Sequence, residues 1–212
     1  MVSKMQMTNS LQLYEAWSGT ASDEANLLRC AKSGSLEAFN AIVLNYQDML
    51  FNTARHLLCQ EALAEDATQE ALIAAYQHIH AFNGEYLKSW LMRILLNKCY
   101  DHLRRVQRTN ELSLDESLME DGEELTLYDR LQDDAPALDT RLETWELQQC
   151  VLKCLQTLPH AYRAILILID MEEMSYSQAA SLLNIPLGTV RSRLSRARCG
   201  LRSALLAAKP AR

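Results

Sequence analysis

The sequence predicts an all-α protein made of two small helical domains joined by an acidic, flexible linker. Three observations predict it. Only 6 glycines and 4 prolines occur in 212 residues, too few to punctuate a chain of many short strands. Apolar residues recur three and four apart, the period of a helix buried on one side, and no run alternates with period two. Between 109 and 140 that periodicity stops and acidic residues take over, which divides the chain in two.

The divisions expected are a tail over 1–23, a first domain over 24–108, the linker over 109–140 and a second domain over 141–208. In the tail, a short helix is expected near 11–17. Ser22 or Asp23 is the expected N-cap of a helix starting near Glu24, and Ser33-Gly34-Ser35 ends it. The stretch LEAFNAIVLNYQDMLFNTARHLL follows, with a buried stripe through Phe39, Ile42, Val43, Tyr46, Leu50 and Ala54. A third helix, EALAEDATQEALIAAYQHIHAF, places Leu72, Ala75, Tyr76 and Ile79 on its apolar side, and Asn83-Gly84 stops it. The fourth, from Tyr86, is apolar nearly all round at first, as a central bundle helix is. It ends basic at Arg104, Arg105 and Arg108.

After the linker, a helix is expected from Arg141 through Leu155. PHAYRAILILIDMEE forms the next, with Pro159 suited to a first turn. SYSQAASLLN is a short helix capped by Ser175. NIPLG turns the chain into a last helix with arginines at 191, 193, 196, 198 and 202 and no acid.

Charge follows the same divisions. Residues 1–108 hold 10 Lys and Arg against 11 Asp and Glu, residues 109–143 hold 2 against 12, and residues 144–212 hold 9 against 4. The net charge of −6 therefore comes from the linker. The basic last third calls for an anionic partner.

Several classes are excluded. The longest apolar run, AILILI at 164–169, falls far short of the roughly 20 residues that span a bilayer. The first residues lack the apolar core and cleavage site of a secretory signal, so a cytoplasmic protein with no membrane insertion is expected. None of the six cysteines forms a CxxC pair. They read as small buried hydrophobes in a reducing compartment. The five histidines are scattered, and no phosphate-binding loop or nucleophile elbow occurs. No catalytic residue, metal site, cofactor or enzyme activity is expected.

The most specific pattern is helix, short turn, helix in SYSQAASLLNIPLGTVRSRLSRAR. Ala179 and Ala180 allow two helices to cross closely. Val190, Leu194, Ala197 and Leu201 make the back of the second helix. Ser192, Ser195, Arg196 and Cys199 face the other way, with Arg191 and Arg198 on one flank and Arg193 on the other. Small side chains let a helix approach base edges in the major groove, arginine can pair bidentately with guanine, and flanking arginines can hold phosphates.

With LPHAYRAILILIDMEEMSYSQAASLLNIP before it, GTVRSRLSRAR resembles region four of the sigma-70 family. EDATQEALIAAYQHIHAFNGEYLKSWLMRILLNKCYDHLRR resembles region two of the compact, two-domain extracytoplasmic-function sigma factors. Together the matches cover most of residues 24–206.

The resemblance implies a minus-thirty-five reader at Arg191, Ser192, Ser195 and Arg196, with Thr189 and Arg193 at phosphates. It implies that Phe82, Asn83, Lys88, Asn97 and Lys98 take the unwound minus-ten strand, with Arg104 and Arg105 at its phosphates. Trp90 is expected in the core. Asp66, Gln69 and Glu70 match the docking site for the clamp helices of the largest subunit of core RNA polymerase. The implied partners are core RNA polymerase, promoter DNA and an anti-sigma factor that closes both DNA-binding surfaces. The acidic linker is implied to thread through the polymerase. The alternative is a stand-alone helix-turn-helix regulator, which would dimerise on half-sites. The basic first-domain helix counts against it.

Overall fold

The computed structural model describes residues 21–83, 86–116 and 138–208. The helix expected near 11–17 lies outside them. All regular structure among the described residues is helical: α1 Ala21–Lys32, α2 Leu36–Leu58, α3 Glu61–His78, α4 Leu87–Glu116, α5 Leu138–Gln156, α6 His160–Leu166, α7 Tyr176–Leu183 and α8 Leu187–Ala208.

Most boundaries follow local chemistry. Ser35 caps α2 by accepting a hydrogen bond from the Ala38 N–H at 3.2 Å, satisfying one of the orphan donors of a first turn. Ser22 and Asp23 do not cap α1, because the helix already runs through them from Ala21. The acidic segment is helical at both ends. α4 carries on to Glu116 and α5 begins at Leu138, since ELSLDE is free of helix breakers and propagation is easy once a helix exists. Residues 117–137 of the expected linker lie outside the described residues.

Helix α3 and the turn after it bury Ala75 and Ile79 of the expected stripe, leave Leu72 and Tyr76 at its edge, and extend the buried face through smaller residues. The buried residues of α3 are Ala64, Ala67, Thr68, Ala71 and Ala75, while Tyr76 is 39% exposed. An alanine stripe lets α3 lie close against α2 and α4, and dense packing over a whole helix outweighs burying one large ring. Leu87, Leu91, Met92, Leu95, Leu96 and Cys99 of α4 occupy the bundle centre, as its all-round apolarity requires. Trp90 packs on the edge of this core, with its ring 5.2 Å from Phe82.

Past Leu166, α6 continues as a π turn over Ile167–Met171, with the Glu172 N–H reaching back to the Ile167 carbonyl at 2.9 Å. One main core runs through both halves of the chain. Ile165, Ile167, Leu168, Met174, Ala179, Val190 and Leu194 of the second domain join the α2–α4 residues in it. In return, Cys59, at the end of α2, packs with Leu155, Leu158, Leu166 and Ala197 of the second domain. The two domains are therefore docked directly on one another.

The deepest polar contact lies at this junction. Arg163 is 3% exposed. Its guanidinium donates to the carbonyls of Leu155 at 2.8 Å, Gln156 at 2.9 Å and Leu158 at 3.1 Å, and crosses to Leu57 at 2.7 Å. Leu155, Gln156 and Leu57 belong to the C-terminal ends of α5 and α2, and Leu158 to the turn after α5; helix ends are short of carbonyl partners and carry the negative end of the dipole.

The packing shifts two histidines toward their neutral form. Burial, with Arg55 beside it, pushes the His56 imidazole below its usual range against the opposing pull of Glu172. Burial and Arg163 do the same to His160. As pH falls through about 6.5 the unfolded chain takes up protons that the folded chain refuses, so stability declines. The thermal midpoint should drop between about pH 7.5 and 5.5, and His56→Gln should shallow the drop. A flat profile in the wild-type chain would contradict this.

Candidate nucleic-acid interface

The second-domain interface is built by α7, its turn and α8. Ser175 and Gln178 form a reciprocal capping box at the start of α7, which fixes where the helix begins. Asn184 ends it in the left-handed conformation at φ 52°, a geometry asparagine tolerates well. The Ile185 N–H then bonds back to the Ala180 carbonyl at 3.1 Å, aiming the chain into α8. Val190, Leu194 and Ala197 are buried, and Gly200 lets α8 close on Leu158, whose Cδ2 would lie 2.7 Å from any added Cβ.

This anchoring turns Arg191, Ser192, Ser195 and Arg196 to solvent, with Thr189 half-buried. The Ser192 hydroxyl bonds back to the Thr189 carbonyl at 3.1 Å. Arg196 reaches the Tyr162 hydroxyl at 3.5 Å. Arg198 is forked onto Asp170 in the π turn, with Nε at 2.9 Å. Arg193 is half-buried; burial raises the Tyr100 phenol of α4, and the Arg193 charge partly opposes this.

In the first domain, α3 and α4 share a charged seam. The Glu70 carboxylate lies 3.2 Å from Lys98, 3.4 Å from His102 and 4.0 Å from Arg105. Partial desolvation pushes its carboxyl up, but Lys98, His102 and Arg105 together hold it below the ordinary range. Arg104 pairs with Asp101 at 3.4 Å. Asn83 and Asn97 are exposed, as are Asp66 and Gln69 on the outer side of α3.

Two family models match the chain: sigma-70 region 2 over residues 42–109 and sigma-70 region 4 over residues 148–198. The ECF RNA polymerase sigma factor SigW of Bacillus subtilis is 31% identical over 84% of this chain and 94% of that protein. The RNA polymerase sigma-H factor of Pseudomonas aeruginosa is 30% identical over 88% of this chain and 95% of that protein. Among solved structures, the sigma factor RpoE in complex with the anti-sigma factor NepR from Bartonella quintana matches with a TM-score of 0.62 and 28% identity. That match covers 82% of this chain and 100% of that one.

The chain belongs to the extracytoplasmic-function sigma factors of the sigma-70 family. It is an alternative sigma factor directing promoter-specific transcription initiation, and the stand-alone regulator is set aside because both domains match. Its relatives are sigma factors, which are not enzymes in the catalytic sense. No helix among the described residues is long and apolar enough to cross a membrane.

Within this sigma factor the geometry shows what several of the expected residues touch. Phe82 is 4% exposed, held between Trp90 and the Lys32 ammonium, which sits 5.4 Å over its ring. It pins the loop and offers no open face to an unstacked base. Glu70 turns toward α4, one helical turn along from the exposed Asp66. Lys88 faces the second domain, 3.2 Å from Glu172. Of the six cysteines, Cys59, Cys99 and Cys154 are buried, Cys150 is half-buried, and Cys30 and Cys199 are exposed. Burial pushes the Cys99 thiol up to about 12.

Arg163, Glu172, Thr53 and Tyr162 did not stand out in the sequence. A lone arginine within the apolar run YRAILILI was the one available signal, since such a run has no solvent-facing side to receive it.

Proposed function

We propose that the exposed face of α8 reads a minus-thirty-five element in the major groove, and that the loop at Asn83 with the solvent face of α4 holds the melted minus-ten strand. The carrying observation is the face of α8, where Ser192, Ser195 and Arg196 are exposed together on a helix with no acid over 187–208. Arg196 is the base-pairing side chain, steadied by Tyr162. Thr189, Arg191 and Arg193 serve phosphates.

Asn83, Lys88, Asn97 and Lys98 meet the separated strand, with Arg104 and Arg105 beside its phosphates. Glu70 acts as a positioning residue for Lys98 and Arg105, which leaves the exposed Asp66 and Gln69 to meet core RNA polymerase. The chain works in the cytoplasm, has no catalytic activity of its own, and is held by an anti-sigma factor, as RpoE is by NepR in the matching structure.

Run-off transcription from a genomic promoter library, with bacterial core polymerase with and without the protein, tests this reading. New transcripts sharing two spaced elements are expected. Clean duplex binding with no transcripts would overturn it. Duplex binding should fall about a hundredfold between roughly 50 and 200 mM salt if about four phosphates are held, and a salt-independent affinity would remove the phosphate assignments.

A further inference from the structure

The arginines of α8 are not equally free. The helix carries five of them over 187–208 and no acid. Among the described residues, Arg198 alone of the five is in an ion pair. Its Nε and Nη2 donate to the two oxygens of the Asp170 carboxylate, with Nε at 2.9 Å. Arg196, two residues earlier, reaches a neutral partner, the Tyr162 hydroxyl at 3.5 Å. Arg191 is exposed.

Asp170 owes its place to the π turn. In an unbroken α-helix it would follow Arg163, Leu166 and Ile167 at spacings of seven, four and three, on one shared face. All three of those residues are buried. The π turn over Ile167–Met171 fits an extra residue into the turn, so the acid stops at the edge of the packed face. Its side chain keeps 30% exposure, and that of Arg198 keeps 54%.

Arg191 and Arg198 are seven residues apart, close to two helical turns, so both lie on one flank of α8. Arg191 is open to a phosphate. Arg198 is not, because a fork that already holds a carboxylate has to release it before taking another anion. The carboxylate also offsets the positive charge that a phosphate would otherwise feel.

We propose that Asp170 is a positioning residue that withholds Arg198 from the DNA backbone. The inference rests on the reading of α8 as the duplex-reading helix. Each phosphate contact raises affinity for every sequence alike, and bulk DNA competes with the promoter for the protein. Withholding one arginine lowers affinity for bulk DNA. It leaves a larger share of binding to Ser192, Ser195 and Arg196, the side chains on the exposed face.

The test uses the full chain and a short labelled duplex of mixed sequence, followed by fluorescence anisotropy between roughly 50 and 200 mM salt. Asp170→Asn keeps the shape of the side chain and removes its charge. An ion pair this exposed contributes little to stability, so the variant should stay folded. It should bind the duplex about fourfold to fifteenfold more tightly than the parent, and its logarithmic salt slope should steepen by about 0.9, the mark of one more phosphate. Adding Arg198→Gln should cancel both changes. Arg191→Gln should act in the opposite sense, with a slope shallower by about 0.9. Without DNA, nitrogen-15 NMR should show the Arg198 guanidinium held against rotation in the parent and rotating freely in Asp170→Asn.

If circular dichroism shows that Asp170→Asn loses helix, Asp170→Ser replaces it. A guanidinium that already rotates freely in the parent overturns the inference. A gain that survives Arg198→Gln overturns it too, since Asp170 would then repel phosphates directly. A silent Asp170→Asn beside a responsive Arg191→Gln sinks this inference alone. A parent chain whose duplex binding ignores salt, with Arg191→Gln silent as well, sinks the reading of α8 and this inference with it.

Discussion

Arg163→Ala should lower stability by about 3–5 kcal/mol, the cost typical of breaking a buried, hydrogen-bonded charge network. The side chain is 3% exposed and its fork satisfies carbonyls of Leu155, Gln156, Leu158 and Leu57. Alanine would leave all four without this donor, in a place water does not reach freely. Burial lowers the guanidinium pKa, partly opposed by Cys59, yet an arginine keeps its charge well beyond neutral pH. The charge is therefore held by helix ends and not by a carboxylate. For a chain of this size the loss corresponds to a fall in thermal midpoint of about 10 °C or more.

Arg163→Lys should recover only part of the loss, because a single ammonium cannot span carbonyls that a planar fork reaches together. Because one bond crosses to α2, the alanine variant should also loosen the docking of the two domains. A midpoint within about 2 °C of wild type would show that the network contributes little.

Arg196→Ala should weaken binding to duplex carrying the minus-thirty-five element by about tenfold to a hundredfold, the worth of one bidentate base contact. Its affinity for core polymerase should not change, since α8 lies on the other domain from Asp66 and Gln69. Asp66→Arg should produce the reverse pattern, with polymerase binding weakened and duplex binding by the second domain intact, because a reversed charge at a docking face opposes its partner. Fluorescence anisotropy with labelled duplex and with core enzyme measures both. If Arg196→Ala lost core binding, or weakened all sequences equally, the side chain would be a phosphate or folding contact instead.

The sites were legible to different depths. The helix-turn-helix and the solvent face of α8 could be read directly, because a capping serine, a left-handed asparagine and a three-four apolar spacing act within one or two helical turns. Asp66 and Gln69 were legible as exposed positions on α3 for the same reason. Phe82 was not. An aromatic beside an Asn-Gly turn suits a base platform as well as a loop anchor, and only the positions of Trp90 and Lys32 distinguish the two. The partners of Glu70 were not legible, because its three cationic neighbours come from the next helix. Ala75 of α3 and Ile79 just after it were read as buried, but the rest of that face was hidden by its own composition, since alanines carry a weak hydrophobic signal and their value lies in how closely two helices can approach.

The sequence by itself determined most of the helices, the Ser175 cap, the division of charge and the face that α8 turns to solvent, because each depends on residues within a few positions of one another. The tertiary structure alone decided that the two domains share a core, that Arg163 joins the ends of α5 and α2, and that Glu172 meets Thr53 and Lys88. These partners lie 106, 119 and 84 residues apart. No local period encodes such a meeting. It is set by which helix faces remain to be buried once each domain has formed.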